Sequence, residues 1–96
     1  MAAYILVDSK LTNPELYESY KLIARPLVES YGGEYLSRGG LISLKESKLW
    51  TPTRMVLLRF PSVEIAEKFY DSAEYQAALK ISALSSERTF MILEGM

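Results

Sequence analysis

Residues 54–71 read R-M-V-L-L-R-F-P-S-V-E-I-A-E-K-F-Y-D, a strand pattern that gives way to a helix pattern within one short run. Arg54 to Phe60 is dense in bulky aliphatic and aromatic side chains, the composition of a strand. Pro61-Ser62 ends it, and the Ser62 side chain is suited to cap the helix that follows from Val63 to Asp71. Within that helix Ile65, Ala66 and Phe69 turn inward, while Glu64 and Lys68 make an outward i, i+4 pair. A new start at Ser72 opens another helix, about Ala73 to Leu84, with Tyr75, Ala78 and Leu79 on one side. Arg88 to Glu94 is the last strand.

Upstream, Ala3 to Asp8 (A-Y-I-L-V-D) reads as a buried strand. Asn13 and Pro14 form a helix start with a capping side chain and proline in the first turn, and the spacing predicts a helix from Pro14 to about Tyr31. Leu16, Tyr20, Ile23, Leu27 and Tyr31 share one face, broadened by Tyr17, Ala24 and Val28. Pro26 cannot donate to the Leu22 carbonyl, which predicts a kink. Gly32-Gly33 stops the helix, and Glu34 to Arg38 is a strand halted by Gly39-Gly40. Leu41 to Glu46 is expected to continue that strand past a bulge or bend, with Ser47 to Thr53 a loop. The order is βαββαβ with one extra short helix. It specifies a single domain over residues 1–96 of α+β class, a ferredoxin-like antiparallel sheet with helices on one face.

A sheet covered on one face should alternate into polar residues on the other. Here Tyr4 and Leu6 oppose Ala3, Ile5 and Val7, Met55 and Leu57 oppose Val56, Leu58 and Phe60, and Met91 and Leu93 oppose Phe90 and Ile92. Both faces are apolar. An exposed patch of that character exceeds what small monomers leave open, so a homodimer through the sheet faces is expected.

Composition removes several function classes. The chain has no cysteine and no histidine, which excludes thiolate nucleophiles, imidazole bases, disulfides and Cys/His zinc sites. Its 11 basic and 12 acidic residues are spread evenly, so no basic stripe offers itself to nucleic acid. Arg54 to Phe60 also lacks the base-stacking aromatics of an RNA-recognition strand. The longest apolar stretch, Met1 to Val7, is far short of the roughly 20 residues of a membrane span. The chain reads as a cytoplasmic protein with no nucleic-acid or membrane partner. Gly32-Gly33 and Gly39-Gly40 match no phosphate loop and read as turn glycines.

The elements N-P-E-L-Y-E-S-Y (13–20), Y-G-G-E-Y-L-S-R-G-G (31–40), L-L-R-F-P-S-V-E-I-A-E-K-F-Y-D-S-A-E-Y-Q-A-A (57–78) and the closing L-E-G resemble the domain of unknown function family 1330 over nearly the whole chain. The resemblance implies a dimeric α/β barrel, in a superfamily that includes cofactor-free monooxygenases and muconolactone isomerase-like enzymes. The chain departs from the family pattern at Ser43, where a glutamate is common, at Ser82, where an arginine is common, and at Arg59, where relatives are often acidic. A site built on a charged pair at the Ser43 and Ser82 positions is not expected here.

Five side chains are candidates for binding a substrate. Arg38, before two glycines, can hold a carboxylate or enolate through a bidentate contact, or bridge the dimer as an ion pair. Tyr20 faces the sheet from the first helix and either packs with its hydroxyl satisfied or points into a cavity. Tyr70 and Tyr75 flank the helix break, converging on a cavity mouth or packing the junction. Arg59, on a strand face with Met55 and Leu57, needs a partner or reaches water at the strand end. Trp50 either closes a pocket or covers a partner subunit. No strong general base is visible, and Glu46 would serve only with a raised pKa. These features give an expected homodimer, without metal or cofactor, that binds or converts a small carbonyl- or carboxylate-bearing compound. The alternative is a non-catalytic dimeric binding or accessory module.

Overall fold

The computed structural model describes residues 1–96. In chain order the elements are β1 (Ala3–Leu11), α1 (Pro14–Ser30), β2 (Glu34–Arg38), β3 (Met55–Phe60), α2 (Val63–Asp71), α3 (Ala73–Ser85) and β4 (Ser86–Glu94). The strands form one antiparallel sheet in the order β2-β3-β1-β4, so β1 is paired on both sides, with Ile5 opposite Leu58 and Ile92. This is the ferredoxin-like α+β arrangement that the sequence predicts. No helix is long and apolar enough to cross a membrane.

The two-residue alternation of β1 divides the sheet. Ala3, Ile5, Val7 and Ser9 are buried on the helix side, joined there by Val56, Leu58 and Phe60 of β3. Phe69 of α2 packs on Phe60 with ring centroids 5.2 Å apart, and on Tyr75 of α3 at 4.5 Å. The opposite face carries Leu6, whose cross-strand neighbours are Leu57 and Met91, beside Tyr4 and Leu93. Met91 and Leu93 are 41% and 56% exposed, so this apolar face is open in the single chain.

Helix starts follow the expected chemistry. The Asn13, Ser62 and Ser72 side chains accept from the N–H groups of Leu16, Ile65 and Tyr75. The buried stripe of α1 is Tyr17, Tyr20, Ala24 and Val28, with Leu27 and Tyr31 flanking it and Ile23 39% exposed. The stripe is therefore centred one position away from the expected Leu16-Tyr20-Ile23 line, because small Ala24 faces the sheet. Helix α1 runs through Pro26 to Ser30. Leu22 and Pro26 are both exposed, which leaves the unpaired Leu22 carbonyl to water.

Three boundaries differ from expectation. Strand β1 continues past Asp8 to Leu11, because Ser9, Lys10 and Leu11 pair with Arg88, Glu87 and Ser86, and β4 correspondingly begins at Ser86. The bulge in β2 lies at Leu36, between Tyr35 and Ser37, ahead of the glycine pair. Leu41 to Glu46 is not a strand. Residue Gly39 makes the last backbone bond, to the Met55 carbonyl, and β3 extends no further toward the N-terminus to offer a partner. The chain from 40 to 54 is instead anchored by Asp8, which accepts from Trp50 Nε1 at 3.1 Å and from the Thr53 and Arg54 N–H groups.

The α1–β2 turn shows why glycine is needed twice. Gly32 has φ of +77°, and a Cβ on Gly33 would sit 2.7 Å from the Phe60 ring and 2.8 Å from Val28 Cγ1. Gly33→Ala is expected to lower stability by about 1–3 kcal/mol through overpacking, read from the urea midpoint. An unchanged midpoint would mean that the turn can shift and does not fix α1 on the sheet.

Candidate functional site

The site begins with a helix break. Ser72 closes α2 by donating to the Phe69 carbonyl at 2.8 Å and opens α3 by accepting from the Tyr75 N–H at 3.2 Å. This fixes Tyr75 in the first turn of α3, fully buried. Across from it, Tyr17 and Tyr20 lie three residues apart on the buried stripe of α1, with ring centroids 4.9 Å apart. The Tyr20 and Tyr75 hydroxyls are 2.7 Å apart, one donating its proton to the other.

Arg88 enters this cluster from β4. It stands opposite Ser9 and in phase with Phe90 and Ile92, so it points to the helix side of the sheet. Its guanidinium donates to the Tyr20 hydroxyl at 2.9 Å, to Tyr75 at 3.1 Å and to Tyr17 at 3.4 Å, and its central carbon lies 4.9 Å from the Tyr20 ring centroid. No carboxylate of the chain lies within 4.0 Å of it. A partly buried cation is thus held by three phenol hydroxyls.

Each phenol oxygen accepts from Arg88, and one hydroxyl proton is used between Tyr20 and Tyr75. The remaining hydroxyl protons and free guanidinium N–H groups are donors without a protein acceptor. Burial pushes the Tyr20 hydroxyl far above the ordinary phenol range, with Tyr75 adding to the rise, and this outweighs the opposing pull of Arg88. Burial raises Tyr75 as well. For Arg88 burial opposes the charge, but the tyrosine oxygens more than offset it, so the guanidinium stays protonated. The cluster is a set of donors, not a tyrosinate base.

The cluster borders a cavity of about 40 Å³ under α1, enough for roughly three water-sized groups. Aromatic rings, including Tyr17, Tyr20, Tyr35 and Tyr75, make much of its wall. Lys21, Arg38, Arg54 and Arg88 also line it, and no acidic residue does. Lys21 is paired with Glu18 at 2.9 Å, and Arg38 lies against the Tyr35 ring at 5.0 Å. No group of three or more Asp or Glu side chains is placed to hold a metal ion.

Of the five candidates, the structure brings Tyr20, Tyr75 and Arg38 to this cavity. Tyr70 instead packs between Tyr75 and Phe90, with centroids at 5.5 and 5.0 Å, filling the helix junction. Arg59 is on the open face, exposed and 3.8 Å from Glu34, because its odd-numbered place on β3 pairs it with Tyr4 rather than with Ala3. Trp50 is held by Asp8 in the 40–54 segment, where Glu46 is also exposed. Ser82 is buried and donates to the Leu79 carbonyl, while Ser43 is exposed. Two members were not singled out from the sequence, Tyr17 and Arg88. The signal for Arg88 was its parity with Phe90 and Ile92, which already placed it on the covered face.

Comparison with known proteins agrees with this architecture. A protein of unknown function from Rhodopseudomonas palustris superposes with a TM-score of 0.76 at 17% identity, covering 99% of this chain and 82% of that one. A dimeric ferredoxin-like protein of unknown function from Bacteroides fragilis gives 0.62 at 18% identity, over 98% and 96%. SnoaB, a cofactor-independent oxygenase from Streptomyces nogalater, gives 0.69 at 6% identity, over 99% and 93%. No curated protein matches the chain in sequence. The family model for DUF1330, a domain of unknown function, matches residues 2–96, and the chain belongs to that family.

Proposed function

We propose that this protein works in the cytoplasm as a homodimer joined through the open sheet faces, and that each protomer binds a small carbonyl- or carboxylate-bearing compound in the cavity under α1. The observation that carries the binding role is Arg88, a partly buried guanidinium with phenol hydroxyls as its hydrogen-bond partners and no carboxylate. An acceptor oxygen entering the cluster gains charge-assisted hydrogen bonds from donors that have no protein acceptor. The dimer follows from the apolar face around Leu6 and accords with the dimeric neighbours of the same fold.

As an enzyme the protein would use Arg88, Tyr20 and Tyr75 to polarise the substrate oxygen and to stabilise an enolate or phenolate as it forms. That chemistry needs no bound cofactor and suits a substrate that reacts readily once ionised, in keeping with the cofactor-independent oxygenase among the structural neighbours. The second reading, a binding module without catalysis, is favoured by one observation. No acidic side chain lines the cavity to accept a proton.

Three outcomes are expected. In sedimentation at micromolar concentration the chain runs as twice its 10.9 kDa mass, and Leu6→Lys, at the centre of the open face, converts it to monomer. A wild-type monomer would remove the dimer. In NMR titrations with formate and acetate, Arg88→Met weakens binding about tenfold or more. Its stability should change by no more than about 1 kcal/mol, since the Tyr20–Tyr75 hydrogen bond survives. Loss of stability with unchanged binding would assign Arg88 to the fold instead. The third concerns pH. Tyr20 and Tyr75 ionise later in the folded than in the unfolded chain, so stability is flat through neutrality and falls as pH rises above the ordinary value of 10.0. In Tyr20→Phe that alkaline decline should be shallower, as followed by thermal melts from pH 7 to 11. An equally steep decline would place its origin elsewhere.

A further inference from the structure

Residues 40–53, between β2 and β3, form an arm with little hold of its own. No backbone–backbone hydrogen bond involves them, and the hydrogen bonds that tie the arm to the sheet are those that Asp8 accepts from Trp50 Nε1 and from the Thr53 N–H. Within it only Ile42 and Pro52 are half-buried, and every other residue is exposed. Large apolar side chains are among the exposed ones: Leu41 and Leu49 are 102% and 93% exposed, Leu44 48% and Trp50 52%. Leu44, Leu49, Trp50 and Pro52 border an open hollow of about 340 Å³. Clustered side chains of this kind gain no burial in the lone protomer and mark a surface that another body covers.

The arm is rooted on the open side of the sheet. Asp8 is in phase with Tyr4 and Leu6 on β1, and its cross-strand neighbours are Met55 and Thr89. In the next row on this face Leu6 lies between Leu57 and Met91, and in the row after that Tyr4 lies beside Leu93. Trp50, bonded to the Asp8 carboxylate, therefore continues an apolar strip that runs from Leu93 and Tyr4 through Leu6, Leu57 and Met91 to Met55. The cavity under α1 is on the other side of the sheet, and no residue of the arm lines it. Trp50 thus does not close that cavity.

We infer that the arm clasps a second copy of this chain: as two open faces close on each other, Leu41, Leu44, Leu49 and Trp50 of each arm pack against the partner protomer beside the sheet contact. This contact rests on the homodimer proposed above and adds a second region to it. The occupant is a second copy because Trp50 and the sheet strip form one continuous surface on the face that closes, and a two-fold contact brings each arm to the other protomer in the same way. Neighbours of the same fold are dimeric. A tryptophan at the edge of an apolar strip is also the side chain that such contacts favour.

Trp50 is the only tryptophan of the chain, so its emission reports on the arm directly. The test follows tryptophan emission and sedimentation over one dilution series of the wild-type protein, with Leu6→Lys as the monomer standard. Emission should move to the red as the dimer dissociates, with the same midpoint as the sedimentation change. Leu41→Ser/Leu49→Ser removes side chains that are almost fully exposed in the lone protomer, and should raise the dimer dissociation constant about tenfold or more. The same pair of substitutions should leave the urea midpoint of Leu6→Lys unchanged. An unchanged dissociation constant, or Trp50 emission equally red in dimer and monomer, would leave the arm free for a different partner and overturn the clasp while the sheet dimer stands. Emission equally blue in both, or a lower urea midpoint when the two serines are added to Leu6→Lys, would place the arm on its own sheet and overturn the clasp as well. A wild-type chain that sediments as monomer throughout would overturn the homodimer and the clasp with it.

Discussion

The structure depends on the alternation of one strand. Strand β1 is paired on both edges, so its side chains are confined to the two faces of the sheet, and both faces are apolar. Ala3, Ile5 and Val7 anchor the helices, Tyr4 and Leu6 form the open face, and Ser9 continues the helix-side series as the one small polar member. A slip of one residue would exchange the two sets, moving Ser9 to the open face and Asp8 into the helix layer. Asp8, on the open side, anchors the 40–54 segment through Trp50, Thr53 and Arg54. The register of β1 thereby positions both the core and the longest irregular segment.

The cavity is a consequence of the same register. Ile5 and Val7 of β1 and Val56 and Leu58 of β3 form its floor on the helix side, and Arg88 and Arg54, which stand in the row of Ser9, reach its edge. An arginine in such a place costs desolvation energy, which here is offset by phenol oxygens in place of a carboxylate. That choice has a chemical consequence. A carboxylate partner would neutralise the guanidinium and close the site, whereas tyrosine hydroxyls satisfy it while leaving its charge available and adding donors of their own. Their resistance to ionisation keeps the cluster in one protonation state through the neutral range.

Local periodicity made much of this molecule legible. The caps at Asn13, Ser62 and Ser72, the βαββαβ order and the doubly apolar strands are written at spacings of two to four residues, the range over which a chain dictates its own conformation. Tyr20 and Tyr75 could be chosen because each sits on an inward helix position near a feature visible in the sequence. Arg59 and Tyr70 looked equivalent at that level, and differ only by what the fold sets beside them: Glu34 on the open face for one, Tyr75 and Phe90 for the other. The expected strand at Leu41 to Glu46 shows the same limit, since its residues suit a strand but no neighbouring strand reaches them.

The helices, the four paired strands, their order and the absence of histidine and cysteine chemistry are therefore set by composition and by side chains a few residues apart. It takes the packed fold to bring Arg88 to Tyr17 and Tyr20 across 71 and 68 residues of chain, and to no carboxylate. The physical reason is that a hydrogen bond between α1 and β4 depends on strand order, pairing register and the seating of a helix on the sheet. None of these leaves a local period in the sequence.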